Sequence, residues 1–237
     1  MITVRRSSER GLTDLKWLKS YHSFSFGGYY DPHFMGYESL RVFNEDFVNP
    51  GGGFPEHQHA NMEIFSYVVS GALEHKDNLG QPTVIEENYF QRMSSGTGIM
   101  HSEYNANSDR PVHFLQFWIT PRTLNAKPSY DQKFFNPKLR RGRFQLISCE
   151  SETEDLLFVN QSINIYLGCF DGQESAKHPI SDQRRSWLYV VRGSIYLNGF
   201  MLEKGDSAGI DKEQMIILNQ GRDSEVILFD FLHPALK

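Results

Sequence analysis

Tyr67-Val68-Val69-Ser70-Gly71-Ala72-Leu73 and Tyr189-Val190-Val191-Arg192-Gly193-Ser194-Ile195 share one pattern, an aromatic and two valines running into a glycine. Short runs of β-branched and aromatic residues favour a pleated strand, and a glycine at the end of one marks a sharp bend. Downstream of the glycine both copies keep the same order. A turn into a new strand comes at Glu86-Glu87-Asn88-Tyr89-Phe90 in the first and at Leu202-Glu203-Lys204-Gly205-Asp206 in the second. The second copy reaches this turn sooner, so its hairpin is shorter. An apolar strand then closes each copy, Leu115 to Ile119 and Ile227 to Leu232. Three matches in one order predict an all-β chain of two tandem barrels of one design, over residues 1–135 and 136–237. The joint is expected around Tyr130 to Arg143, where Pro, Asn, Lys and Arg accumulate.

The rest of the chain agrees. Ile64-Phe65-Ser66-Tyr67-Val68-Val69, Phe114-Leu115-Gln116-Phe117-Trp118-Ile119 and Val226-Ile227-Leu228-Phe229-Asp230-Phe231 all read as strands. Leu12, Leu15 and Leu18 recur every third residue, which predicts a turn or one short helix over Leu12 to Lys19. Of 237 residues 39% are hydrophobic, enough to bury a core and to exclude general disorder. With 24 basic against 29 acidic residues the net charge is −5, and no basic stripe runs along the chain. Nucleic acid is therefore excluded as the main partner. The one local basic cluster, Arg140-Arg141-Gly142-Arg143, is expected to be a solvated loop. Cys149 and Cys169 stand in alternating apolar stretches and are expected to pack rather than to bridge or bind metal. Nothing after Met1-Ile2-Thr3-Val4-Arg5-Arg6 has signal-peptide character, and no apolar run reaches membrane-spanning length. A cytoplasmic chain with no membrane partner is expected, and a monomer, for want of any coiled coil.

The chemistry concentrates in two short segments. His57-Gln58-His59 comes after Gly51-Gly52-Gly53 and sets two imidazoles at i and i+2, on one face of a strand. Further on, Gly96-Thr97-Gly98-Ile99-Met100-His101-Ser102-Glu103 sets His101 and Glu103 at the same spacing. Either pair alone suits a surface pair or a satisfied core group. If the strands are neighbours in one barrel wall, three imidazoles and a carboxylate converge. That donor set suits a divalent first-row metal and leaves up to two coordination positions open. The second copy serves as an internal control. His57 and His59 lie 14 and 12 residues before Gly71, and the same offsets from Gly193 give Pro179 and Ser181. The segment matching His101 falls near Ile217-Leu218-Asn219, so only the first barrel is expected to hold metal. Glu63 shares parity with His57 and His59 and is a rival carboxylate, as a ligand or as a partner of a ligand histidine. His22 is expected to be structural and His75 structural or surface-exposed, and His113, His178 and His233 have no partner at ligand spacing. No P-loop lysine comes after Gly96-Thr97-Gly98, and no Gly-x-Ser-x-Gly elbow occurs.

Further motifs extend the pattern: His22-Ser23-Phe24-Ser25-Phe26, Tyr30-Asp31-Pro32, Leu40-Arg41-Val42, Asn44-Glu45-Asp46 and Glu74-His75-x-Asp77. Together with His57-x-His59 and Ser95 to Glu103, they resemble the pirin family of the cupin superfamily, and within it the bacterial pirin-like quercetinases. The resemblance spans the chain and is densest over residues 20 to 120. It implies a bicupin with one metal ion, usually iron, in the N-terminal barrel, held by the residues matching His57, His59, His101 and Glu103. Two departures stand out: Gln58 lies between the histidines where relatives often have proline, and Asn88 lies at a turn where they commonly have glycine. Neither touches a ligand.

The activity so implied is a metal-dependent dioxygenase that cleaves the ring of a flavonol such as quercetin, with O2 as co-substrate and carbon monoxide as a product. Glu103 would serve as the general base for the flavonol 3-hydroxyl. Fe(II) is the metal implied, although the same donors accept Mn, Co, Ni, Cu or Zn. The alternative implied by the family is a non-enzymatic regulator, dependent on metal or redox state, that binds a protein partner.

Overall fold

The computed structural model describes residues 1–233. Strands hold 59% of the residues and short helical turns 3%, and no helix is long and apolar enough to cross a membrane among the described residues. Two compact units emerge. Residues 11–135 with 157–161 form the first, and Met1–Arg10, Asn136–Leu156 and the chain from Ser162 form the second. The first strand, β1 (Ile2–Arg5), thus belongs with the C-terminal half, where it pairs antiparallel with Ser207–Ile210.

Eleven strands build the first unit as two facing sheets. They are β2 (Gly11–Asp14), β3 (Leu18–His22), β4 (Leu40–Val48), β5 (Gly53–His59), β6 (Glu63–Ser70), β7 (Ala72–Asp77), β8 (Thr83–Glu86), β9 (Tyr89–Ser94), β10 (Ile99–Asn105), β11 (Val112–Ile119) and β12 (Ser129–Phe134). One sheet runs β12-β9-β6-β11-β4-β3-β2, the other β5-β10-β7-β8. Val68, Leu73, Ile85, Val112 and Phe114 pack between them, with Ile64, Met93 and Ile99 in a second cluster. Each such buried side chain contributes about 1.5–3 kcal/mol.

The glycine of the repeated motif explains the repeat. Gly71 has φ +85° and lies between β6 in one sheet and β7 in the other, a conformation that residues with a side chain rarely adopt. Gly193 has φ +66°, and a β-carbon there would lie 2.2 Å from the Arg222 carbonyl oxygen. Both mark where a chain leaves one wall of its barrel for the other.

In the second unit the walls share long bent strands. After β13 (Phe144–Cys149), the two-residue β14 (Leu157–Phe158) of the first unit intervenes. Next come β15 (Ile163–Phe170), β16 (Ala176–Pro179), β17 (Arg184–Leu197), β18 (Phe200–Glu203), β19 (Ser207–Ile210) and β20 (Met215–Leu232). β17 and β20 pair along most of their length, with register shifts on either side of Gly193. Where the first barrel carries its three converging histidines, here β16 pairs with β20, Ile216 and Leu218 are fully buried, and His178 meets Asp230.

Of the two readings offered for Leu12 to Lys19, the turn holds and the helix does not: a hairpin turn joins Asp14 of β2 to Leu18 of β3, closed by reciprocal Leu15–Leu18 backbone hydrogen bonds. Only Leu18 enters the core, while Leu12 and Leu15 are half-exposed, so the period of three marks no buried helix face. Two other expectations need correction. The joint is shorter than expected, because Ser129–Phe134 pairs in register with β9. The basic cluster is not a solvated loop throughout. Arg140 is 1% exposed and ion-paired to Glu225 at 2.8 Å, while Arg141 stays outside, paired with Glu174. A sequence shows a charge but not a partner 85 positions away. Both cysteines are free, Cys149 buried and Cys169 partly so, with the Arg140 Nε–H donating to its thiol at 3.3 Å.

Candidate metal centre

β10 runs between β5 and β7, and this placement assembles the site. Alternation along β10 turns His101 and Glu103 inward, both 1% exposed, while Met100 and Tyr104 face out. Across the β5 ladder His101 lies opposite His57, and His59 lies opposite Ile99. The register then slips by one residue, so Glu103 faces Phe54. Pro55, in the gap, has no N–H to give the ladder.

The three imidazoles meet. Their ring centres are 4.8 Å apart for His57–His59, 4.4 Å for His57–His101 and 5.0 Å for His59–His101. One candidate ligand atom from each lies within 4.8 Å of the others. Glu103 falls into a second such group, with His101 and His75. The backbone fixes the tautomer of His57. Its Nδ1 is 2.8 Å from the Pro55 carbonyl oxygen, which only accepts, so the proton is on Nδ1 and Nε2 keeps its lone pair. His101 Nε2 is buried without any hydrogen-bond partner. An orphaned imidazole nitrogen beside two more imidazoles fits a divalent metal.

Electrostatics favour the same reading. Burial, followed by the neighbouring imidazoles, pushes His59 down to about 4 and His101 down to about 3, so both rings are neutral at pH 7, as ligation requires. In the unfolded chain both would titrate near 6.5. Their contribution to stability is therefore complete above pH 6.5 and lost as pH falls toward 4 and then 3. In the metal-free protein, NMR should show the His59 and His101 rings not titrating between pH 8 and 5. The thermal midpoint should fall over the acid part of that range. Titration of either ring near 6.5 would contradict this burial.

Glu103 is held from two sides. Gln116 Nε2 donates to Oε2 at 2.7 Å and Ser66 Oγ to Oε1 at 3.3 Å, while Trp118 Nε1 donates to Gln116 Oε1 at 3.2 Å. Beside it opens a cavity of about 440 Å³, lined by the apolar Phe26, Phe54 and Trp118 and by Asp46. Burial, with Glu103 and Glu45 adding to it, pushes Asp46 up to about 7. Trp118 packs edge-on to both His59 and Phe26.

Known proteins share this architecture. The family profile described as Pirin matches residues 3–119, and the quercetinase C-terminal cupin domain matches residues 146–231. A protein named quercetin 2,3-dioxygenase from Escherichia coli K12 is 40% identical over 230 residues, 97% of this chain and 98% of that one. The chain belongs to the pirin family. A pirin-like protein from Caulobacter vibrioides is 36% identical over 97% of this chain and 99% of its own length. The crystal structure of the bacterial pirin YhhW from E. coli in complex with nickel(II) matches with TM-score 0.93 at 39% identity, covering 98% of this chain and all of that one. Both barrels of this pirin are cupin domains.

The remaining candidates in this pirin sort by contact. Glu63 is turned away from the imidazoles: it projects from the face of β6 opposite to Ser66, and it accepts from Ser94 Oγ at 2.5 Å. β5 and β6 belong to different sheets and are joined by a turn with Asn61 at φ +53°, so parity with His57 does not carry across. His22 lines the cavity but has both ring nitrogens engaged, by Asn44 and Thr13 at 2.8 Å each. His113 pairs with Glu45 at 2.9 Å, and His178 with Asp230 at 3.2 Å. Asn88 takes φ +68°, the conformation its turn needs. His75, which the sequence offers as a structural or surface residue, is 2% exposed and abuts His101. The i, i+2 spacing of His75 and Asp77 was the available signal, as these two share a face and hydrogen-bond at 2.9 Å.

Proposed function

We propose that this pirin is a metal-dependent dioxygenase that opens the heterocyclic ring of a flavonol such as quercetin, consuming O2 and releasing carbon monoxide. The observation that carries the reading is the aromatic-walled cavity of about 440 Å³ beside the converging imidazoles, a volume suited to a small aromatic ligand. The names of the relatives point to the same substrate.

His57, His59, His101 and Glu103 are the residues we assign to the metal, which we take to be Fe(II). When bound, such an ion supplies a Lewis acid toward a substrate oxygen and a redox-active centre toward O2. The protein's own residues do the rest. Glu103 accepts the proton of the flavonol 3-hydroxyl. We assign the proton to Oε1, because its contact with Ser66 is the longer of the two that hold the carboxylate. Gln116 keeps the carboxylate in place and is itself oriented by Trp118. Phe26, Phe54 and Trp118 flank the flat ring and displace water from it.

The test reloads metal-free protein with Fe(II), adds quercetin without oxygen and then admits air. Loss of the flavonol absorbance with carbon monoxide release is expected, and neither should occur with His57→Ala. A fully loaded protein that neither binds nor turns over flavonols would overturn the enzyme reading in favour of a regulator with a protein partner.

A further inference from the structure

We infer that Asp77 and His75 form a hydrogen-bonded chain that determines which ring nitrogen of His101 is free for metal. They are positioning residues, and the inference rests on His101 being a ligand. The chain starts at the backbone. Asp77 Oδ1 accepts the N–H groups of Leu79 at 2.8 Å and Gly80 at 3.1 Å. Its Oδ2 lies 2.9 Å from His75 Nε2. A carboxylate only accepts, so the His75 proton sits on Nε2 and Nδ1 keeps its lone pair. That Nδ1 lies 3.5 Å from His101 Nδ1, at the outer limit of hydrogen bonding. Two lone pairs facing each other there would repel, so His101 carries its proton on Nδ1. Its Nε2 is left bare, and this is the ring atom found buried without a partner.

The surroundings keep the chain rigid. His75 and Asp77 are neighbours of His101 across the β10–β7 ladder, with side chains 2% and 6% exposed. Tyr130 stacks on the His75 ring at 4.8 Å, and its hydroxyl is fixed by Thr83 at 2.7 Å. The direction of every bond thus follows from one charged group at the far end. His57 reaches the same state separately, through the Pro55 carbonyl. Outer partners of this kind orient metal-bound histidines and select their tautomer.

Asp77→Asn tests the direction of the chain. Two backbone N–H groups face the Oδ1 position, so the amide oxygen must stay there and the NH2 must face His75. His75 then accepts at Nε2 and donates from Nδ1, which forces the His101 proton onto Nε2, where metal should bind. Titration of metal-free protein with Co(II), followed by visible absorption, should show affinity reduced by about 10- to 100-fold. His75→Phe, which retains the stacking on Tyr130, should show a similar loss. Nitrogen-15 NMR of the metal-free wild type should find His101 protonated on Nδ1 and His75 on Nε2, with both reversed in Asp77→Asn. Co(II) affinity within twofold of wild type in both variants would overturn the inference, as would a wild-type His101 protonated on Nε2. The NMR readout needs no variant to fold. His57→Ala separates the two readings: if it binds Co(II) as tightly as wild type, the metal-site assignment fails, while the NMR result still decides the chain.

Discussion

Glu103→Gln is expected to lower kcat on quercetin by about 10²- to 10⁴-fold, the usual contribution of a positioned general base. The substitution is close to isosteric, and the site can accommodate it. Gln116 donates at 2.7 Å, so the new amide oxygen takes that side and the NH2 turns to Ser66, whose hydroxyl can accept as well as donate. The barrel should therefore fold as before, and the loss should fall on chemistry and on metal retention. Glu63→Gln is the contrast. Burial pushes the Glu63 carboxyl up, its hydrogen bonds run to Ser94 and Asn160, and its strand turns it away from the imidazoles. Metal affinity and kcat in Glu63→Gln should both stay within about twofold of wild type. Metal analysis beside steady-state kinetics separates the outcomes. If Glu63→Gln loses metal and Glu103→Gln keeps both metal and rate, the two carboxylates must exchange roles.

Arg140→Met should destabilise the second unit by about 3 kcal/mol, the range found when one partner of a buried ion pair is removed. The thermal midpoint should drop by roughly 10 °C. Arg140 meets Glu225 at 2.8 Å with both side chains almost fully enclosed, and Arg192 meets the other Glu225 oxygen at 2.7 Å. Deleting Arg140 removes the enclosed partner of this carboxylate, whereas Arg192, whose side chain is 39% exposed, is screened by water. Adding Glu225→Gln should recover part of the loss, because a neutral amide tolerates burial better than a half-paired charge. A single variant that melts with wild type would show Arg192 to be a sufficient counter-charge. Catalysis should be untouched in either variant, because the imidazoles belong to the first unit.

The metal-capable trio was legible because strand geometry is local. Alternation puts His57 and His59 on one face and His101 and Glu103 on one face, whatever the rest of the chain does. The repeat was legible for a similar reason, since a positive-φ bend admits few residues and both copies place glycine there. Glu63 shows where this reasoning stops. A turn carries the chain from β5 in one sheet to β6 in the other, so counting residues from His57 does not tell which face Glu63 occupies. The leucines at 12, 15 and 18 show the same limit, because a spacing carries meaning only when the residues share a buried face.

By itself, then, the sequence determined the all-β class, the two-barrel plan and the three histidines, all of which follow from local preference and alternation. Only the tertiary structure decided how those parts meet. It paired β10 with β7 as well as β5, which brought Asp77 and His75 against His101. It also enclosed Arg140 against Glu225 and walled a cavity with Phe26, Phe54 and Trp118. These contacts join residues far apart in the chain, and they form because apolar burial fixes strand order and register.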